Sequence, residues 1–265
     1  MVHSLFADEL RRTRELAGMS QADLATAMAY SVSAVAMVET GRRPPTKDFS
    51  DHADTALKTD GLFGRIRQWS LRQRAQPEWF TAYRDIEDQA TTIRAFNPLV
   101  VYGLVQTEAY ARAQLRSDDP EATESRVAAR MERQRDIFDR EKPPSVTVLL
   151  DEAVLYRNIT GGAPDGNRVM HDQLIRLTEG PGSVQIVPAS AATPLGLDGA
   201  FELARLDGRE VAYVETPLLG FVLDQAEYAQ QAGERWTALV AEALPLRQSR
   251  ELIAKVAQER WKIDS

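Results

Sequence analysis

The chain has 265 residues, 43% of them hydrophobic, and a formal net charge of -7. It has no cysteine and only three histidines, which excludes a disulfide framework, a thiolate zinc site and a thiol nucleophile, and argues against a His-rich metal centre. No stretch has the length of an apolar membrane span, and the N-terminus MVHSLFADELRRTREL lacks a signal-peptide core, so a cytoplasmic protein of two domains is expected.

The first 75 residues carry 11 Lys and Arg against 9 Asp and Glu, so the remainder holds a balance of -9. In this first stretch Phe6, Leu10 and Ala17 make the apolar stripe of a first helix, and Gly18 supplies a left-handed stop. Ser20, with Asp23 three residues on, is a capping-box start for a second helix. Ser31 starts a third and Gly41 ends it. Leu24, Ala25, Met28, Val35 and Val38 fall on the inward faces. Arg42 and Arg43 follow the third helix, where a cation suits both the helix C-terminus and a nearby phosphate.

Two short capped helices around a tight turn are the pattern of a helix-turn-helix. Through Ser20-Gln21, Leu24-Ala25, Val35, Val38-Glu39 and Gly41, the segment from Ser4 to Thr59 resembles the DNA-binding domain of Cro/CI-type repressors, the XRE family. The resemblance implies that Val32, Ser33, Ala36 and Met37 face base edges in the major groove. It places Gln21, Ser31, Thr40, Arg42 and Arg43 toward phosphates of double-stranded operator DNA, with Arg14 and Glu39 as a structural ion pair. The base-facing set has no Arg, Asn or Gln, so thymine-methyl contact by Val32 or Ala36, or shape readout, would carry specificity. The bland alternative is a fold used for protein contact.

DGLFGRIRQWSLRQRAQ reads as a helical linker, residues 61–76, between a helix-turn-helix domain of four to five helices at 1–60 and a second domain at 77–265. PEWFTAYRDIEDQA is helical, with Trp79, Tyr83 and Ile86 on one side. An extended apolar stretch follows, then a turn at Gly103 and a helix after Thr107. PEATESRVAARMERQRDIFDREK is a longer helix with Val127, Met131 and Phe138 in line, its charges read as a solvated face. SVTVLL and SVQIVP are buried strands, with DEAVLY and MHDQLIRL as helices between them and GGAPDGN as a connector lacking the lysine of a P-loop. AFELARL and EVAYVE flank Asp207-Gly208, a hairpin signal, and two helices close the chain. The fold expected is an all-α domain followed by a mixed α/β regulatory domain with a small sheet.

The run GLVQTEAYARA, RMERQ, LDEAVL, QLIRL, VQIVP, GAFEL and VAYVE resembles the C-terminal domain of unknown function of actinobacterial XRE regulators, the WhiJ-like, antitoxin-like group. Tyr102 stands where that group has a proline. The resemblance implies transcriptional control beside a gene for a small companion protein.

Tyr102, Gln106, Thr107 and Tyr110 form a polar-aromatic cluster. It reads either as a pocket or partner groove, or as a tight turn in which Thr107 caps the helix and Tyr110 packs beneath. Asp151, Glu152 and Glu215 at strand ends could do acid/base or metal work. Capping by Asp151 and an arginine partner for Glu215 are the simpler readings. A phospholipase-D-like reaction needs paired His and Lys, and only His171 lies in this region. The four tryptophans, Trp69, Trp79, Trp236 and Trp261, are expected as core or interface anchors. No catalytic residue, metal or cofactor is expected. The function expected is a dimeric repressor or antitoxin-like regulator, or else a partner-sequestering protein that binds DNA only for autoregulation.

Overall fold

A computed structural model describes every residue except Met1, Gln76, Pro77, Ala192, Thr193, Leu195, Pro217, Asp264 and Ser265, with the backbone alone for residues 2–4, 72–75, 78 and 79. The chain forms two units: residues 1–76 with 117–125, and residues 77–116 with 126–265.

The first unit is helical: α1 (Val2–Leu16), α2 (Gln21–Ala27), α3 (Val32–Glu39), α4 (Lys47–Leu57) and α5 (Leu62–Ala75). Phe6, Leu10, Leu24, Met28, Val35, Val38, Phe49 and Phe63 form one core, so the inward faces read from the spacing meet as expected. Ala17 is exposed, because α1 stops at Leu16 and the next position on its buried stripe is taken by Arg14. The segment read as a linker is part of this unit. Phe63 of α5 is fully buried, its ring 5.4 Å from that of Phe6.

The second unit is built on a six-stranded mixed sheet. Its strands are β1 (Thr92–Asn97), β2 (Ser145–Asp151), β3 (Ser183–Val187), β4 (Phe201–Leu206), β5 (Arg209–Glu215) and β6 (Gly220–Leu223), in the order β3-β2-β1-β4-β5-β6. β1, β2 and β3 run parallel, pairing Ile93 with Val146 and Val148 with Val184. β4 lies antiparallel to β1, and β5 and β6 continue antiparallel. Asp207 and Gly208 both have positive φ at the β4–β5 turn, as a tight primed hairpin requires. β6 is not anticipated by the sequence reading, since its four residues show no clean alternation.

Helices α6 (Glu78–Gln89), α7 (Glu108–Gln114), α8 (Pro120–Phe138), α9 (Ala153–Tyr156), α10 (Gly166–Glu179), α11 (Ala226–Glu242) and α12 (Leu246–Arg260) complete the elements. The first residues of α8, through Ser125, group with the first unit. Core packs on both faces of the sheet, so in β2 the apolar residues Val148 and Leu150 on one side alternate with Leu149 on the other. Ile93, Val148 and Ile186 face a core closed by α10 and α12, while Phe96, Leu149 and Leu203 face one closed by Trp236 and Leu239 of α11. Trp236 and Trp261 are core anchors, and Trp261 Nε1 donates to the Leu155 carbonyl at 2.8 Å. Trp69 is about half exposed, at 46%, and the Trp79 side chain lies outside the described residues. No helix among the described residues is long and apolar enough to cross a membrane.

Candidate DNA-binding face and a buried polar centre

The helix-turn-helix is set by its caps. Ser20 accepts from the Asp23 amide at 3.1 Å while Asp23 accepts from the Ser20 amide at 2.8 Å, a reciprocal capping box. Ser31 Oγ accepts from the Ala34 amide at 3.1 Å and starts α3. Between the helices, Ala29 sits at φ 54, a left-handed conformation closed by the Tyr30 amide donating to the Ala25 carbonyl at 2.9 Å. Gly41, at φ 69, turns the chain out of α3, and the amides of Arg42 and Arg43 both donate to the Met37 carbonyl.

Beneath this motif lies a buried ion pair. Arg14 Nε and Nη2 donate to the two oxygens of Glu39 at 2.6 and 3.0 Å, and Arg14 Nη1 donates to the Met19 carbonyl at 2.8 Å. Gln21 Nε2 adds a third donor to Glu39 at 2.8 Å. The hydrogen bond to Glu39 raises the Arg14 pKa against the effect of burial. One carboxylate therefore ties α1, the α1–α2 turn, α2 and α3 together, which fixes how far α3 projects.

What projects is the set expected to read bases. Val32 is 48% exposed, Ser33 is exposed, and Ala36 and Met37 are half-buried on the same side of α3. Around them stand the residues expected to meet phosphate. Arg42 and Arg43 are exposed. Ser31 accepts at its cap and keeps its hydroxyl proton to donate. Thr40 is exposed, but its hydroxyl already donates to the Ala36 carbonyl at 2.8 Å. Gln21 is partly buried, and its amide group is held by Glu39.

In the second unit the Tyr102–Tyr110 segment is a turn of 3₁₀ helix (Gly103–Val105) leading into α7. Thr107 caps α7 through the Tyr110 amide. Tyr110 is fully buried, and its hydroxyl accepts from the Val101 amide at 3.1 Å. Gln106, 1% exposed, donates to the Val101 carbonyl and to Gln114, and accepts from Arg130 Nη1 at 2.7 Å. Gln134 donates to the carbonyls of Gly103 and Gln106, and Gln173 to that of Val105. At Gly103 a Cβ would lie 2.7 Å from Arg130 Nη1, so any larger residue would displace that guanidinium. The four candidate residues are thus together, three of them buried, with their polar groups spent inside the unit. A ligand reaching them would have to open the turn.

Tyr102 points elsewhere, into a centre the sequence reading did not find. At φ -60 its backbone would also suit a proline, so its distinct contribution is the side chain. Its hydroxyl donates to Glu202 Oε2 at 2.5 Å, where the Tyr83 hydroxyl also donates at 2.7 Å. Arg133 of α8 donates from Nε and Nη2 to Glu87 of α6 at 2.8 and 2.6 Å, and its Nη2 is 3.8 Å from Glu202. The Phe80 ring lies 4.9 Å from the Arg133 guanidinium, and Tyr83 stacks on Tyr213 at 4.1 Å. Burial pushes the Glu202 carboxyl up to about 7, against the pull of Arg133 and the two tyrosines. Burial and the nearby Arg133 charge bring Arg130 down to about 10.

The charges of α8, read as a solvated face, are therefore partly internal. Arg133 and Gln134 are buried beside Val127 and Ile137. Their spacing continues the Val127 stripe, and that continuation was the available signal. At the strand ends, Asp151 Oδ1 accepts from the amide of Ala153, the first residue of α9, and Glu152 Oε2 accepts from the Ala189 amide. Burial raises the Glu215 carboxyl, opposed by the charges of Arg130 and Arg133.

Against known families, the model described as a helix-turn-helix domain matches residues 5–62, and that described as a domain of unknown function (DUF5753) matches residues 80–255. No curated protein and no solved structure matches the chain. The first match supports a DNA-binding regulator.

Proposed function

The chain belongs to the family defined by the DUF5753 domain, and from that premise we propose that it is a transcriptional regulator of the XRE type, acting as a dimeric repressor or antitoxin-like regulator. Its second unit senses a small companion protein or ligand, and it works by binding and not by catalysis, in the cytoplasm. The observation that carries the DNA reading is the projection of Val32, Ser33, Ala36 and Met37 over a helix pair locked from below by Arg14 and Glu39, with Arg42 and Arg43 exposed at its flank. Two copies would double the basic flank and fit paired half-sites. The acidic charge of the remaining chain opposes DNA, so binding relies on this local basic flank and is salt-sensitive.

The test is binding of the full chain to the DNA upstream of its own gene, across a salt series, with and without the co-encoded small neighbour. Tight, salt-sensitive binding that the neighbour alters supports the reading. Arg42→Ala with Arg43→Ala should lower affinity for every sequence and reduce the salt slope by about 2, one for each phosphate that is no longer neutralised. An unchanged slope removes both from the set that meets phosphate. Absence of specific binding in either condition would favour the partner-sequestering alternative.

A further inference from the structure

The segment Ser117–Ser125, SDDPEATES, holds four acidic residues and no basic one. Although some 40 residues beyond α5 in sequence, it groups with residues 1–76. Arg67 of α5 is the anchor, with its side chain only 5% exposed. Its Nη2 donates to Asp119 at 2.9 Å, and its Nη1 donates to Glu121, which also accepts from Gln68. Its Nε donates to the Pro45 carbonyl at 3.2 Å, two residues past Arg43. Asp119 is held in place as well by the start of α8, since its Oδ1 accepts from the Glu121 amide at 3.0 Å.

Arg67 and its acidic partners line a groove of about 710 Å³ together with Arg43 and Lys47, and Asp118, Asp119 and Glu121 are all part of its lining. The charge of Glu121 reaches Lys47. The Lys47 pKa is raised, first by its hydrogen bond to Asp51 and then by the charges of Asp51 and Glu121. The balance of charge changes sign accordingly. Residues 1–76 carry 11 basic and 9 acidic groups, and with the segment's four acids the folded unit carries 13 acidic, a balance of -2. Arg43 of the flank expected to meet phosphate thus shares a groove, inside its own unit, with carboxylates.

We propose that the segment Ser117–Ser125 is a built-in competitor for the phosphate-contacting flank of the DNA-binding unit, and that releasing its clasp on Arg67 raises affinity for duplex DNA of any sequence. This rests on the DNA reading above. Negative charge beside a polyanion's site weakens binding, more so the closer it lies, and is screened over about 10 Å at 0.1 M salt. A signal that draws the segment away from Arg67 would therefore strengthen DNA binding with the recognition helix unchanged.

The experiment compares the full chain with two variants on a non-operator duplex, by fluorescence anisotropy at about 50 mM and about 500 mM salt. Asp119→Asn with Glu121→Gln opens the clasp. Asp118→Asn with Glu124→Gln removes two charges and leaves the Arg67 hydrogen bonds in place. Each should bind about threefold or more tightly at low salt, with the gain shrinking below about twofold at high salt. The Arg42→Ala, Arg43→Ala pair should weaken binding in all backgrounds. If the parent binds and that pair matters while neither acid variant changes affinity, or if the gain is the same at both salts, the competitor proposal falls and the DNA reading stands. If none of the proteins shows salt-dependent binding, the DNA reading itself falls and takes the proposal with it.

Discussion

Arg14→Ala removes both forked hydrogen bonds to Glu39 and leaves that carboxylate, 2% exposed, with the Gln21 amide as its remaining side-chain donor. Breaking a buried pair from one side costs about 3–5 kcal/mol, because the surviving charge has no solvent to replace its partner. The Gln21 donor places the expected loss at the lower end, about 3 kcal/mol. Since about 1.4 kcal/mol is a tenfold change in an equilibrium, local opening of the helix-turn-helix should rise about a hundredfold. Hydrogen exchange of the full chain, read on peptides covering α2 and α3, measures this. Peptides covering the strands β1, β2, β3, β4 and β5 serve as the internal reference, because these strands belong to the other unit. Arg14→Met combined with Glu39→Met should recover most of the protection, since neither charge is then buried alone. Exchange in α2 and α3 within about threefold of the parent for Arg14→Ala would refute the argument that this pair holds the motif together.

The buried centre of the second unit predicts a pH dependence. Glu202 titrates at about 7 in the folded chain against an ordinary 4.5, so the folded state holds its proton more tightly than the unfolded one. The stability this supplies is fully present below about 4.5 and is lost as pH rises through about 7, at most about 3 kcal/mol for a shift of this size. Glu202→Gln should flatten that decline in denaturant titrations of the second unit between about pH 5 and 8, and a slope identical to the parent's would exclude Glu202 as its source. In the helix-turn-helix, Ala29→Gly should stabilise the first unit by about 1 kcal/mol, because φ 54 is strained for any residue with a Cβ. A melting temperature that falls on this change would show that the turn relaxes differently from its present geometry.

Sequence alone determined the features that depend on near neighbours. Ser20 with Asp23, Ser31, Gly18 and Gly41 act within four residues of themselves, so the capped helices of the motif are written locally and appear where expected. The Asp207-Gly208 hairpin and the apolar strands β2 and β3 are legible for the same reason. The Arg14–Glu39 pair, 25 residues apart, was reachable only through a family resemblance, because spacing carries no sign of a contact across that distance.

The tertiary structure decided what lies inside. Glu87, Arg133 and Glu202 are 46 and 69 residues apart along the chain, and their charges look in sequence like any solvated face. They meet because α6, α8 and β4 converge, and a buried charge is tolerated only where its partner is delivered by another element. The same holds for Arg67, whose carboxylate partners come from residues 119 and 121, and for α5, which turned from a linker into part of a core once Phe63 met Phe6. Local chemistry caps and turns the chain, whereas burial of charge is a property of the assembled fold and has no local trace.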